Sequence, residues 1–321
     1  MQVYLLQKRL EQTDWDIILG YAHRVRALPR LRGSSGLSAD CIEALSNPPS
    51  SIFPNLRIVG LHEPSATIVP LVRHLTNPKL TNISFENAGN LGAAIDTFGD
   101  RCPIVTTVHT DTASSLICCW QNLCSVRCDD VGLNVDALSH LSRLHNLRYA
   151  SFEVHNALVD RMHATLSAST LTFSALENLS LGSDNLTLIW RLLHHFRTPE
   201  VHDVDVGVDA PPTAPEIMSF FVSLQEACTH ASLSELSLVV FDNDGRDEIL
   251  LENGSPYYLT FDRLRPLTVF VNIISIVLDI PCGVDLNERE FLRLASSWPH
   301  LEKFRVGGDH DWTPSSAITP G

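Results

Sequence analysis

The sequence predicts an α/β solenoid, in which short strands and helices alternate along the chain. Three observations support this prediction. Leucine occurs 45 times in 321 residues, an apolar–x–x–apolar–x–apolar pattern occurs ten times, and helix-like segments lie between its copies. The apolar fraction is 44% and the charged fraction is 19%, which is typical of a folded globular chain and not of a disordered one.

The recurring pattern opens at a set of apolar residues that we take as the first position of each repeat. They are Leu56, Leu80, Val105, Leu123, Leu147, Leu176, Val201, Leu233, Ile273 and Leu301. The steps between them run from 18 to 40 residues and average about 27, which lies in the range of leucine-rich repeats. The sequence therefore predicts about ten irregular leucine-rich repeats, with the strands in a curved parallel sheet and the helices on its convex side.

Several segments outside the strands have the apolar spacing of a helix. Three of them lie between repeats, at 133–141, 217–224 and 286–294. In the last segment, Asn287 and Glu290 have the spacing of a capping pair. An amphipathic pattern over 13–26 predicts a further helix, with Thr13 or Asp14 as its N-cap, that covers the N-terminal edge of the sheet.

Three regions are expected along the chain. Residues 1–50 form an N-terminal helical cap and a degenerate first repeat, residues 51–306 form the leucine-rich-repeat array, and residues 307–321 form a disordered or truncated tail. The long step between Leu233 and Ile273 contains the acidic segment 242–248. A solvated surface loop is favoured for this segment, and a partner-binding loop is the alternative.

The charge balance restricts the partners and the compartment. The chain carries 23 Lys and Arg residues against 37 Asp and Glu residues, a formal charge of −14. This acidity disfavours nucleic acids and anionic membranes, because a polyanion needs a basic surface. The start of the chain lacks the apolar core of a secretory signal, and eight cysteines are too few for a disulfide scaffold. We therefore expect a monomeric intracellular protein, cytoplasmic or nuclear, with free thiols.

The sequence gives little indication of catalysis or of metal binding. Cys118, Cys119, Cys124 and Cys128 are the densest group of potential metal ligands, but their spacing departs from that of structural zinc sites. Cys128 also falls on an inward strand position, where cysteine behaves as a small apolar residue. The sequence contains no His-Glu-x-x-His motif, no nucleophile elbow and no phosphate loop. We therefore expect no enzymatic activity, no cofactor and no metal.

The second, third and fifth residues of each strand are expected to lie on the exposed, concave face of the sheet. The candidate binding residues on this face are basic or aromatic on neighbouring strands and acidic on the next ones: Arg127, Arg148, Tyr149, Glu177, Asp203, Asp205 and Glu235. Arginine and tyrosine are enriched in binding hot spots. A protein segment of opposite polarity would match this face, and a solvated surface without a partner is the alternative.

Nine short motifs are distributed over nearly the whole chain. They are Asp14-Trp15, Tyr21–Leu28, Phe53–Arg57, Cys102-Pro103, Cys119–Leu123, Leu144–Arg148, Leu264–Leu267, Asp279–Pro281 and Trp298–Glu302. In this order they resemble the leucine-rich-repeat region of the large F-box-like protein family of basidiomycete fungi. In that family an F-box, a small N-terminal helical module, docks on the linker subunit of a cullin-type ubiquitin ligase, and the repeats are thought to select the substrate.

The resemblance implies that this chain is the substrate-recognition part of a ubiquitin ligase adaptor. However, no F-box is found before the first repeat, because the Leu-Pro-x-Glu helical lead of that module is missing. Docking on the linker subunit is therefore implied by the family alone. Two other interpretations stay open, namely a stand-alone leucine-rich-repeat scaffold without ligase association and a truncated, non-functional family member.

Overall fold

The structure, a computed structural model, describes residues 10–32, 39–49, 51–62, 69–86, 98–110, 116–128, 132–165, 170–241 and 258–307. The chain divides into two compact units, Met1–Val131 and Gly132–Gly321. The acidic segment 242–248 and residues 308–321 of the expected tail lie outside the described residues.

The first unit is built on a parallel sheet of short strands that lie side by side in chain order. Its strands are β1 (Ala27–Arg32), β2 (Ile58–His62), β3 (Asn82–Glu86), β4 (Thr107–Thr110) and β5 (Ser125–Cys128). Its helical segments are α1 (Gln12–Ala22), α2 (Ala39–Leu45), α3 (Val69–Val72) and a 3-10 turn at Ile117–Cys119. Helical segments lie between β1 and β2, between β2 and β3 and between β4 and β5, and a helical turn at 98–101 lies between β3 and β4. A solenoid of strand–helix repeats requires this alternation.

The second unit has the same alternation with longer helices. Its main sheet, again parallel and in chain order, contains β6 (Tyr149–Glu153), β8 (Asn178–Ser183), β10 (Asp203–Val208), β11 (Glu235–Val240), β13 (Ser275–Asp279) and β15 (Lys303–Val306). Its helices are α4 (Val135–Leu141), α5 (Asn156–Thr165), α6 (Leu186–Leu193), α7 (Ala214–Ala227), α8 (Phe261–Leu264) and α9 (Glu288–Ser297), with a 3-10 helix at Arg265–Val269. Two small parallel pairs lie outside the main sheet: β7 (Leu171–Thr172) with β9 (Phe196–Arg197), and β12 (Tyr258–Thr260) with β14 (Gly283–Asp285).

Burial alternates along the strands, so each sheet has one covered face and one open face. In β11, Leu236, Leu238 and Val240 are buried, whereas the residues between them are half-buried. Nine of the ten first-position residues are buried, and Leu301, just before the last strand, is half-buried. The predicted α/β leucine-rich-repeat solenoid is therefore confirmed.

In most repeats, the backbone carbonyl that follows the first-position residue accepts hydrogen bonds from two successive N–H groups of the next repeat. The Arg148 carbonyl, for example, accepts from Glu177 N at 2.8 Å and from Asn178 N at 2.9 Å. The other carbonyls in this position with two such donors are those of Arg57, Thr81, Thr106, Glu177, His202, Ser234 and Ile274, and the Arg26 carbonyl, just before β1, also accepts two. This arrangement aligns the start of one strand with the start of the next, whatever the length of the connection between them.

An asparagine immediately before the first-position residue joins some neighbouring repeats through its side chain. Asn55 Nδ2 donates to the His23 carbonyl at 2.8 Å, and Asn272 Nδ2 donates to the Ala231 carbonyl at 2.8 Å. In both cases the accepting carbonyl belongs to the turn of the preceding repeat. A hydrogen bond of this kind contributes about 1 kcal/mol, which explains why asparagine recurs at this position.

The helices predicted between the repeats are present. Segment 133–141 contains α4, and its N-cap Asn134 accepts a hydrogen bond from Ala137 N at 2.8 Å. Segment 217–224 lies within α7, and segment 286–294 overlaps α9. The predicted capping pair is confirmed, because Asn287 N donates to Glu290 Oε2 at 3.0 Å and Glu290 N donates to Asn287 Oδ1 at 3.0 Å.

The N-terminal helix is shorter than predicted and begins earlier. It spans Gln12–Ala22, and its N-cap is Glu11 and not Thr13 or Asp14. Asp14 instead accepts a hydrogen bond from Glu11 N at 3.0 Å, so it stabilises the first turn from inside the helix. The helix ends at Ala22 because the chain then turns into β1, which pairs with β2.

The interior of each unit is filled by large apolar side chains. Phe85 and Phe98 meet edge to face in the first unit, with ring centroids 5.3 Å apart. Phe220 and Phe221 are both fully buried in the second unit, with ring centroids 5.6 Å apart. No helix in the described ranges is both long and apolar enough to cross a membrane.

The two faces of β11 are expected to respond differently to truncation. Leu236→Ala opens a cavity between the sheet and the helices, so it should lower the free energy of unfolding by about 2–5 kcal/mol. Ser237→Ala, on the opposite face of the same strand, should change it by less than about 0.5 kcal/mol. Urea unfolding followed by circular dichroism measures both values, and equal losses would contradict the assignment of the faces.

Candidate binding face of the second unit

We call the open side of the main sheet in the second unit the outer face. Strand register arranges its side chains in rows that cross the sheet. One row contains Tyr149, Asn178, Asp203, Glu235, Ser275 and Lys303. The next row contains Ser151, Ser180, Asp205, Ser237, Val277 and Arg305. Neighbouring members of a row lie about 5 Å apart, so charges on adjacent strands interact directly.

Two of the predicted binding residues, Arg148 and Glu177, form an ion pair with each other. The pair joins Nη1 of Arg148 to Oε1 of Glu177 on the adjacent repeat. Arg148 is exposed and Glu177 is half-buried. Because the two charges compensate locally, the net negative charge of the neighbouring strands comes from other residues.

Asp203, Asp205 and Glu235 supply that charge, and we call them the acidic triplet. Asp203 lies opposite Glu235 in register, and Asp205 follows two residues later on the same face of β10. Asp203 accepts a hydrogen bond from the neutral Asn178 Nδ2 at 3.3 Å. Among the residues that the structure describes, no lysine, arginine or histidine lies within ion-pair distance of the triplet.

Burial, and to a smaller extent the neighbouring carboxylates, raise the free energy of the charged state of Asp203. Partial burial raises the pKa of Asp203 above its ordinary value, the hydrogen bond from Asn178 opposes this shift, and the charges of Glu235 and Asp205 add to it. Like charges directly opposite on neighbouring strands are destabilising. A cation placed over these carboxylates would reverse the effect, since an opposite charge favours the ionised form.

The other two predicted residues lie in different units. Arg127 is exposed on β5 of the first unit, and Tyr149 is half-buried on β6 of the second unit, in register with Asn178. A joint basic–aromatic patch of Arg127, Arg148 and Tyr149 therefore stays a prediction. The second unit by itself brings Tyr149 and the acidic triplet onto one face, whereas Arg148 and Glu177 lie just before the first residues of β6 and β8.

Sequence reasoning missed an exposed aromatic side chain on the outer face. Phe241 follows β11 directly and is 66% exposed. Its ring lies over Gly207 of β10, where an added Cβ would collide with the ring carbons. The signal for it was present in the sequence, because Val240 is the last inward residue of an alternating strand and the next residue must then face outward.

On the helical side, one arrangement has parts of a catalytic triad. His194 Nε2 lies 3.3 Å from Ser223 Oγ, and His194 Nδ1 lies 3.2 Å from Glu226 Oε2. Ser223, however, is fully buried, and its hydroxyl donates to the Ser219 carbonyl at 2.8 Å. A hydroxyl without exposed surface has no access to a substrate. These residues therefore join α6 to α7, and the arrangement supports no nucleophilic chemistry.

The described residues offer no metal centre. In those ranges, no three His, Cys, Asp or Glu side chains are grouped so that they could hold a metal ion. Of the cysteines considered as ligands, Cys128 is buried, Cys119 is exposed, and Cys118 and Cys124 are half-buried.

Comparison with known proteins finds similarity to solved structures. One is an internalin (inlF) from Listeria monocytogenes, at 12% identity and a TM-score of 0.37, over 93% of this chain and 86% of that protein. Another is a leucine-rich-repeat protein from Leptospira interrogans, at 12% identity and a TM-score of 0.36, over 84% of this chain. The chain spans 63% of the length of the latter. No protein-family profile matches the sequence, and no curated protein matches it.

Removing the charge of Asp203 is expected to stabilise the protein at neutral pH. Because the pKa of Asp203 is raised in the folded state, the wild type loses stability as the pH rises from below 3.8 through that folded-state pKa. Asp203→Asn removes this loss. Its Tm should therefore exceed that of the wild type at about pH 7, and the difference should shrink towards about pH 3.

Asp209→Asn is a matched control, since Asp209 is exposed and lies beyond the end of β10. The Tm of Asp209→Asn should not exceed that of the wild type by a comparable amount at neutral pH. Thermal unfolding of both variants, followed by circular dichroism at the two pH values, measures the difference. A lower Tm for Asp203→Asn than for the wild type at neutral pH would contradict the conclusion that folding disfavours the charged form of Asp203.

Proposed function

We propose that the chain is a non-catalytic protein-interaction module, and that the outer face of the second unit binds a basic segment of a protein partner. The observation that carries this proposal is the acidic triplet, which has no cation within ion-pair distance in the described ranges. Charged groups across an interface steer encounter and select partners. A partner with lysine or arginine side chains would supply the missing positive charge.

The spacing of the triplet favours an extended polypeptide. Asp203 and Asp205 are alternate residues of one strand, so they project from the same face about 7 Å apart. Alternate side chains of an extended peptide have the same separation. A segment that lies along β10 can therefore place successive basic side chains over Asp203 and Asp205, while Glu235 lies about 5 Å to the side.

We further propose that the module selects substrates for a cullin-type ubiquitin ligase and acts in the cytoplasm or nucleus. This proposal rests on the resemblance to the repeats of the basidiomycete F-box-like family, in motifs such as Phe53–Arg57 and Trp298–Glu302. It concerns substrate selection only, because docking on the linker subunit requires an F-box. The alternative is a stand-alone scaffold that uses the same outer face without a ligase.

Affinity purification of the tagged full-length gene product from cells of its source, followed by mass spectrometry, distinguishes the ligase adaptor from the stand-alone scaffold. Reproducible recovery of a cullin and its linker subunit is expected for the ligase adaptor. If the folded protein brings down partners without these subunits, the adaptor proposal fails and the scaffold stands.

The role of the outer face is tested by neutralising the triplet. The variant Asp203→Asn/Asp205→Asn/Glu235→Gln should weaken binding to the recovered partner about tenfold or more, because each exposed charge pair contributes up to about 1 kcal/mol. The loss should shrink at high salt, which screens exposed charges. Surface plasmon resonance with the purified partner measures the affinity.

A control variant makes the same change in net charge elsewhere. Glu200→Gln/Asp262→Asn/Asp285→Asn replaces three exposed carboxylates outside the rows of the outer face and should bind like the wild type. Equal affinity of the triplet variant and the wild type would show that the partner does not use this face.

A further inference from the structure

The outer face contains two neighbouring glycines that are paired in register, Gly182 on β8 and Gly207 on β10. We call this pair the glycine shelf. Glycine in a strand interior is unfavourable by about 0.5–1 kcal/mol relative to alanine, and it often marks a close approach of another group. Both glycines here have such a neighbour.

The ring of Phe241 lies over Gly207, and the carboxylate of Glu153 lies over Gly182. In each case an added Cβ would collide with the side chain above it. The two glycines are neighbours in the same row, so their Cβ positions would be about 5 Å apart. The shelf thus makes room for an aromatic ring on one strand and for a carboxylate on the adjacent strand.

Asp205 lies on the same face of β10, two residues before Gly207. The exposed ring of Phe241 therefore has carboxylates on two sides, Glu153 across the shelf and Asp205 along the strand. An aromatic face beside carboxylates attracts a cation more than it attracts an apolar side chain, because the ring quadrupole and the negative charges act in the same direction.

We propose that the glycine shelf receives an arginine side chain of the bound segment, stacked on Phe241 and paired with Asp205. This inference rests on the proposed function and identifies the anchor residue of the partner. Arginine fits better than lysine, since its planar guanidinium stacks on a ring and donates in a fork to a carboxylate at the same time. The ammonium group of lysine is compact and strongly hydrated, so it stacks less well on a ring and cannot donate in a fork to a carboxylate.

The strand spacing gives the register of the segment. Asp203, Asp205 and Gly207 are successive outward residues of β10, each about 7 Å from the next. A segment with basic residues at alternate positions therefore meets Asp203 and Asp205 with two of them and places the next over the shelf. The test uses a fluorescein-labelled peptide that alternates serine and arginine, with a serine–lysine peptide as the comparison.

Fluorescence anisotropy at low ionic strength measures the affinity of both peptides for the full chain. The arginine peptide is expected to bind more tightly than the lysine peptide. Phe241→Leu keeps an apolar side chain but removes the ring. It should weaken binding of the arginine peptide by about 2- to 30-fold and abolish the preference for the arginine peptide over the lysine peptide. Phe241→Trp keeps an aromatic face and should retain the preference.

Gly207→Ala provides an independent variant, because the added methyl group displaces the ring without removing it. It should lose the preference for arginine as Phe241→Leu does, while circular dichroism confirms that each variant is folded. One outcome is that the arginine peptide binds Phe241→Leu and the wild type with equal affinity, while its binding disappears when the acidic triplet is neutralised. That result overturns the shelf inference and leaves the proposed function standing. Absence of saturable arginine-peptide binding also overturns the inference, and the proposed function is then decided by the recovered partner alone.

Discussion

The structure depends on one recurring hydrogen-bond arrangement, in which the carbonyl after most first-position residues accepts two N–H groups from the next repeat. A carbonyl oxygen has two lone pairs and can satisfy both donors. In the second unit the series runs through Arg148, Glu177, His202, Ser234 and Ile274. Each of these carbonyls follows a buried apolar residue, so burial of that side chain also places the acceptor. The steps between repeats can therefore vary from 18 to 40 residues while the strands stay aligned.

This alignment decides which charges face each other on the outer face. Arg148 pairs with Glu177, and Arg305 Nη2 lies 3.8 Å from Asp279 Oδ2, so opposite charges are matched near both ends of the main sheet. In the middle, Asp203 and Glu235 are opposed instead. A free energy cost of this kind is small, below about 1 kcal/mol for a cross-strand pair, and folding tolerates it. Selection for stability alone gives no reason to keep it, and a cationic partner does.

The parts that the sequence predicted well are those governed by burial. Leu176 and Leu233 were identified from apolar spacing alone, because an inward strand position accepts little else, and both are fully buried. The capping pair Asn287 and Glu290 was also predictable from the sequence, because it depends on residues only three positions apart. These features are local, or they repeat with the period of the fold.

The parts that it did not predict depend on which residues the register brings together. Arg148 and Glu177 are 29 residues apart in the chain, and their pairing follows from the length of the connection between two repeats. Phe241 and Gly207 meet only because β10 and β11 pair in one register and the ring leans across to the neighbouring strand. Apolar spacing assigns a face to each residue but does not assign its cross-strand neighbour.

Strand β10 carries two features that are unfavourable for a strand on its own. Asp203 is a carboxylate whose burial and neighbours disfavour its charge, and Gly207 is a residue without a side chain in the interior of the strand. Each has a small separate cost, and a sheet of this architecture would fold without either. Gly207 accommodates the ring of Phe241, whereas the charge of Asp203 has no such compensation within the fold, so β10 is the strand of the outer face where a cationic segment would relieve the largest cost.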